Sequence, residues 1–218
     1  LLPYLIDQLR CISETLGNRA VLSERLQRFD AVIATGSNNT SRYFEQYFGK
    51  YPNIIRKNRN SVAVLTGEED SATLEQLGED IFRYYGLGCR NVSQIWAPEG
   101  YEWPKLLNAL EPWHSVIEND KYKNNFDYNR TLLLLNQIPH FASDFFMLTE
   151  NEAVSSRIAC AHIQHYKTLD EAVANLKKNA DAIQAVVTNA PIDGTVPIGK
   201  AQQPELWDYA DGVDTLAG

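Results

Sequence analysis

Apolar residues recur at helical spacing from the start of the chain. Leu2, Leu5, Ile6, Leu9, Ile12 and Leu16 share one stripe and Gly17 supplies a stop, which predicts a helix over 2–16. A short apolar run from Phe29 to Thr35 then meets Gly36-Ser37-Asn38-Asn39-Thr40, and an amphipathic stretch over 43–48 follows, predicting strand, turn and helix. Ser61 to Leu65 reads as a second buried strand, closed by Gly67 and the acidic Glu68-Glu69-Asp70. Leu74, Leu77, Ile81, Phe82 and Tyr85 predict a helix over 72–85, broken by Gly86-Leu87-Gly88, and Val92 to Ala97 predicts the next strand.

Further helices are expected over 101–110, 122–137 and 168–180, the last opened by a capping box of Thr168 and Glu171. Strands are expected over 158–166 and 182–188. Strand repeatedly precedes helix, so the expected fold is α/β: a mainly parallel three-layer sheet with helices on both faces. No internal repeat or low-complexity linker interrupts it, and the stretch from Ile192, rich in Gly, Pro and Asp, reads as an irregular extension.

Composition narrows the class. A chain of 218 residues, 44% apolar and 11% aromatic, is long enough for a sizeable core, which excludes a disulfide mini-protein or a disordered tail. The apolar stretch around Thr131 to Leu135 is far short of the roughly 20 residues of a spanning helix. A net charge of −8 argues against a nucleic-acid partner or an anionic membrane surface, since a polyanion meets a repulsive average field. The three cysteines, Cys11, Cys89 and Cys160, are widely spaced with no metal-binding pattern, so no metal and a reducing, cytoplasmic setting are expected. Residue 1 is Leu and no leader pattern follows it, an expectation that the sequence is a piece of a longer protein.

Cys89 is the candidate nucleophile. It follows Gly86-Leu87-Gly88, where missing side chains let a planar substrate approach the sulfur, and Arg90 beside it favours the thiolate, the attacking species. The plain alternative is a small buried hydrophobe, which suits Cys11 and Cys160 better. His162 and His165 lie at odd spacing on a strand and point to opposite faces, while His114 and His140 stand singly, which suits packing or surface roles. No HExxH, Gly-x-Ser-x-Gly or Walker A pattern occurs. Tyr84-Tyr85 and Phe141 to Phe146 suit the lining of an apolar tunnel or, more simply, plain core. Lys50, Arg56, Lys57 and Arg59 form a basic cluster suited to phosphate groups, or to a solvated loop.

Ala34-Thr35-Gly36-Ser37, Asn58 to Leu65, Gly86 to Asn91, Glu152-Ala153-Val154-Ser155 and Lys167 to Ala172 together resemble the aldehyde dehydrogenase superfamily, most closely the LuxC-type fatty acyl-CoA reductases. The resemblance runs from Phe29 through Gln203-Pro204-Glu205-Leu206-Trp207. It implies that Cys89 forms a thioester with the acyl group of an acyl-CoA. It implies also that Gly36 and Ser37 lie beside the nicotinamide of NADPH or NADH, and that Glu152, or Glu150 two residues earlier, meets the nicotinamide ribose. Residues 1–35 would then close a cofactor-binding domain, 36–191 form the catalytic domain and 192–218 a C-terminal extension. Hydrolytic relatives carry Glu-Leu-Gly-Gly where this chain has Arg56-Lys57-Asn58-Arg59. The water-activating base is absent there, and with it the roughly 10²- to 10⁴-fold assistance that such a base gives. The resemblance therefore implies reduction of an acyl-CoA to an aldehyde and a homo-oligomer. An aldehyde-oxidising dehydrogenase using Glu150 or Glu68 as base, or a noncatalytic binding module of the same fold, are the alternatives. Because no Gly-x-Gly-x-x-Gly fingerprint is present, the 218 residues alone are expected to reduce acyl-CoA poorly.

Overall fold

The fold comes from a computed structural model and is described for residues 1–36, 38–205 and 207–208. Ser37, one of the two expected nicotinamide contacts, lies outside the described residues. The chain divides into two compact units, 1–57 and 58–218.

In the first unit the apolar stripe over 2–16 forms two helices rather than one. Helix α1 (Leu2–Ile12) stops because Ser13 is extended, at φ −153° and ψ 110°, and its Oγ accepts from the Leu16 N–H to open the short α2 (Glu14–Gly17). A serine inside the stripe thus caps a new helix instead of continuing the old one. No residue of α1 is buried, and Cys11 is exposed, contrary to the expectation of a packed thiol. Strand β1 (Val32–Thr35), helix α3 (Asn38–Phe48) and strand β2 (Asn53–Arg56) complete the unit, the two strands pairing in parallel.

The second unit is built on a six-stranded sheet in the order β5-β6-β7-β4-β3-β8. Its strands are β3 (Asn60–Val64), β4 (Val92–Pro98), β5 (His140–Ala142), β6 (Met147–Glu150), β7 (Cys160–Tyr166) and β8 (Ile183–Val187). All neighbours pair in parallel except the edge pair β5 and β6. The alternation along β3 divides the core: Ala63 packs with Leu74 and Leu77 of α4 (Ser71–Phe82), Leu106 of α5 (Trp103–Ala109) and Phe126 of α6 (Asp120–Leu135). Val62 and Val64 face the other way, onto Ala172 and Leu176 of α7 (Leu169–Lys178). Helices therefore cover both faces of a mainly parallel sheet, as the strand-helix order predicts. The Thr168 side chain accepts from the Glu171 N–H and starts α7, while Glu171 Oε2 accepts from the Lys167 N–H, one residue before the partner a capping box uses.

Strands β2, β5 and β6 have three or four residues each, too few for a period to declare itself, and none is apparent in the pattern. The aromatic run divides accordingly: Phe145 and Phe146 are core, whereas Phe141 on the edge strand is exposed. The stretch from Ile192 is less independent than its composition suggests. Val196 bridges to Val187, and Ile198 and Ala201 are buried in the main core. Among the described residues no helix is long and apolar enough to cross a membrane.

Candidate active site

Cys89 sits in a tight turn between α4 and β4, and the turn is built by its neighbours. Tyr84 and Tyr85 both take left-handed conformations, φ 54° and 60°, followed by Gly86 at φ 71°. Each non-glycine residue there costs about 1–2 kcal/mol, so the reversal out of α4 is held against local preference. What holds it is Asn91, whose side chain is buried. Its Nδ2 donates to the carbonyls of Asp80, Ile81 and Arg83 at 2.9–3.1 Å, closing the carboxyl end of α4. Its Oδ1 accepts from the Gly88 N–H at 2.8 Å and its own N–H donates to the Gly88 carbonyl at 3.0 Å. Cys89 and Arg90 are left as the two central residues of that turn, with the Cys89 carbonyl held by Ser61 Oγ at 3.2 Å. Glycine is required at position 88, since a Cβ there would stand 2.9 Å from Asn91 Oδ1. The result is an exposed thiol on a backbone fixed from both sides.

Arg90 has partners of its own besides its place next to the thiol. Its Nε donates to the Ala201 carbonyl, and its charge acts on buried Asp80. Cys160 is the thiol that behaves as a packed hydrophobe: it is buried, and desolvation pushes its pKa up to about 12.

Cys89 lies at the amino end of β4, and the connection from β6 back to the amino end of β7 brings Glu152 to the same strand. Gln94 Nε2 lies 3.2–3.3 Å from the carbonyls of Asn151, Glu152 and Ala153, Ser93 Oγ donates to the Val154 carbonyl at 2.6 Å, and Gln94 Oε1 accepts from Trp96 Nε1. His162 Nδ1 adds a contact of 2.6 Å to the Ala153 carbonyl, and burial lowers its pKa. Glu152 itself is exposed. Sequence reasoning missed Gln94 and Asn91 as placing residues, yet both carry a readable signal: polar side chains inside or beside an otherwise apolar strand.

Other candidates are spread out. Glu68 follows the carboxyl end of β3, whereas Cys89 is tied to Ser61 near its amino end. Three strand residues beyond Ser61, Val62 to Val64, at about 3.3 Å each set Glu68 toward the opposite end of the strand from this thiol. Glu150 ends β6, 3.7 Å from His165 Nε2, and lines a cleft of about 350 Å³ with Asn129, Leu132, Arg157 and His162. Cys89 does not line that cleft. A smaller cavity, lined by Phe82, Tyr85, Gly86, Val92 and Phe146, lies behind the Cys89 turn; its volume of about 50 Å³ admits a water or two and no fatty chain. In the first unit Gly36 ends the β1 turn, where a Cβ would meet the Thr40 side chain at 2.9 Å, and Lys57 pairs with Glu45 at 2.9 Å. No group of acidic, His and Cys side chains among the described residues is placed to hold a metal.

No family model and no curated protein matches the chain. Solved structures do match its fold. Staphylococcus aureus AldH in a substrate-bound state aligns with a TM-score of 0.57 at 15% identity, over 92% of this chain and 51% of that one. Indole-3-acetaldehyde dehydrogenase AldA of P. syringae, in complex with NAD+ and IAA, aligns with a TM-score of 0.55 at 12% identity, over 76% of this chain and 41% of that one. Mycobacterium tuberculosis aldehyde dehydrogenase complexed with NAD+ gives 0.51 at 15% identity, over 73% and 40%. The chain thus spans about half the length, or less, of the structures it resembles. Its mainly parallel sheet flanked by helices matches the fold of these aldehyde dehydrogenase structures.

Proposed function

We propose that the chain is part of an NAD(P)H-dependent oxidoreductase acting at the aldehyde level, and more narrowly an acyl-CoA reductase whose nucleophile is Cys89. The observation that carries this reading is the exposed thiol at the centre of a turn fixed by Asn91 and Ser61. A nucleophile must be both reachable and held: Cys160 is buried and Cys11 stands on a helix with no buried residue, whereas Cys89 is exposed on a turn tied to the main sheet.

In this mechanism Cys89 Sγ bonds to the acyl carbonyl carbon and the carbon–sulfur bond to CoA breaks, the CoA thiolate leaving and taking up a proton. The backbone N–H of Cys89 is the donor nominated for the developing oxyanion. A nicotinamide cofactor, when bound, supplies the hydride; the resulting Cys89 thiohemiacetal releases the aldehyde and the thiol regains its proton. The residues present suit one edge of such a cofactor: β1 is followed by Gly36, which has no side chain, and then by α3 and β2. Gly36, Ser37 and Glu152 are assigned to cofactor contact on the motif resemblance. The fatty class of the acyl group, NADPH or NADH as the cofactor, a homo-oligomeric whole protein and a cytoplasmic site belong to the same reading. With Glu68 at the far end of β3 and basic residues at 56, 57 and 59, the thioester meets no water-activating carboxylate from those positions. Reduction is favoured over oxidation.

The test is incubation with radiolabelled acyl-CoA, with Cys89→Ala beside the native chain. Label retained by the native protein and absent from the variant supports the assignment; equal label on both defeats it.

A further inference from the structure

The segment after β8 reaches back to the turn that carries Cys89. Val196 is joined to β8 by two backbone hydrogen bonds, Val196 N–H to the Val186 carbonyl at 2.8 Å and Thr188 N–H to the Val196 carbonyl at 2.9 Å. Ile198 and Ala201 then enter the core. Between and beyond them the strap is fastened by side chains of the α4 and Cys89 region. Asp80, fully buried, accepts from the Gly199 N–H on Oδ2 at 2.6 Å and from the Ala201 N–H on Oδ1 at 2.8 Å. Arg90, adjacent to Cys89, donates from Nε to the Ala201 carbonyl. Gly199 is at φ +83°, and a Cβ there would lie 3.1 Å from Gln76 Cβ, so a side chain at that point strains the strap's path.

We propose that this strap, residues 196–203, together with Asp80 and Arg90, positions the Cys89 turn, so that the segment is part of the reactive machinery of the site rather than an appendage. The inference rests on the reading of Cys89 as nucleophile only for its catalytic consequence. The mechanical argument is independent of it. Cys89 and Arg90 are the central residues of one turn. Fixing the Arg90 guanidinium to a buried carbonyl removes one of the two residues' freedom to rotate, and the thiol's direction is set with it. Asp80 acts at one remove: it holds both strap amides through its side chain, while its own carbonyl accepts from Asn91. One residue thus ties the strap to the closing bond of the turn. Asp80 and Arg90 are positioning residues; neither is assigned contact with substrate.

The test uses the whole chain with Arg90→Gln, Arg90→Lys and, acting from the strap alone, Gly199→Ala. Hydrogen exchange of the Gly88 and Asn91 amides is followed with the rates at which Cys89 reacts with acyl-CoA and with iodoacetamide. Expected in Arg90→Gln and Gly199→Ala is at least tenfold faster exchange at the turn, with the ratio of acylation to alkylation falling about tenfold, and partial recovery of both in Arg90→Lys. A merely structural role lowers the melting temperature while leaving that ratio unchanged. Unaltered exchange at Gly88 and Asn91 in both disrupting variants overturns the proposal. If the native chain is alkylated but never acylated while exchange quickens as expected, the positioning role stands and the acyl-CoA reading falls.

Discussion

Asn91→Ala is the substitution whose cost the geometry fixes most closely. The side chain gives two hydrogens to three carbonyls at the end of α4 and accepts one from Gly88. Losing the two donor hydrogens costs about 1 kcal/mol each, and the partly buried Gly88 N–H left without its acceptor costs about 1–3 kcal/mol more. The sum is about 4 kcal/mol, which for a unit of this size lowers Tm by roughly 8–16 °C. Asn91→Asp separates the donor role from the acceptor role, since it keeps an oxygen for Gly88 but turns another toward three carbonyl oxygens. At pH 7 it is expected to be at least as unstable as the alanine variant and to recover as the pH falls toward the ordinary carboxyl range of about 4. Differential scanning calorimetry of both variants between pH 4 and 7 is the measurement. An alanine variant melting within 2 °C of the native chain, or an aspartate variant more stable than it at pH 7, refutes the account of the turn.

Other consequences are equally direct. Burial raises the Asp80 pKa from 3.8 to about 6, so the folded chain holds a proton there that the unfolded chain has released between those values. Its stabilising contribution is full below about pH 4 and gone above about pH 6; the melting difference between native chain and Asp80→Asn should therefore shift against the native chain as pH rises, and parallel profiles would contradict it. His162 runs the other way: burial lowers its pKa, so stability is present above its ordinary value of 6.5 and is lost on acidification, a loss that His162→Gln should abolish in pH-jump unfolding. Titration of thiols at pH 7.5 should modify Cys11 and Cys89 in the folded chain and Cys160 only in denaturant; three equivalents without denaturant would show the β7 thiol to be reachable. Gly78→Ala places a Cβ 2.1 Å from Trp113 Nε1, which donates to the Glu75 carbonyl, and should cost about 1–3 kcal/mol in urea unfolding.

Much of the frame is legible in the residues because it depends on local period. The stripe over 72–85 and the runs at 61–65 and 92–97 declare α4, β3 and β4 within a residue or two, save that α4 ends at Phe82 where Tyr84 and Tyr85 turn left-handed. The short strands fail that test for lack of length. At the candidate site the glycines before Cys89 mark a turn correctly, but the partner of Arg90 lies 111 residues away and the partners of Asp80 119 and 121 away. No window of sequence contains both ends of such a contact, so Arg90 reads as a neighbour of the thiol when it is a fastener of the strap. Gln94 is the intermediate case: a polar residue in a buried strand must have partners, though which backbone it gathers is decided only when β7 pairs with β4.

The Cys89 turn stands at the carboxyl end of α4, where the peptide dipoles present their negative pole. The Asn91 amide covers that pole from a residue beyond the helix, so a change that draws position 91 away uncovers three carbonyl oxygens at once and frees the last turn of α4 to fray together with the Cys89 turn.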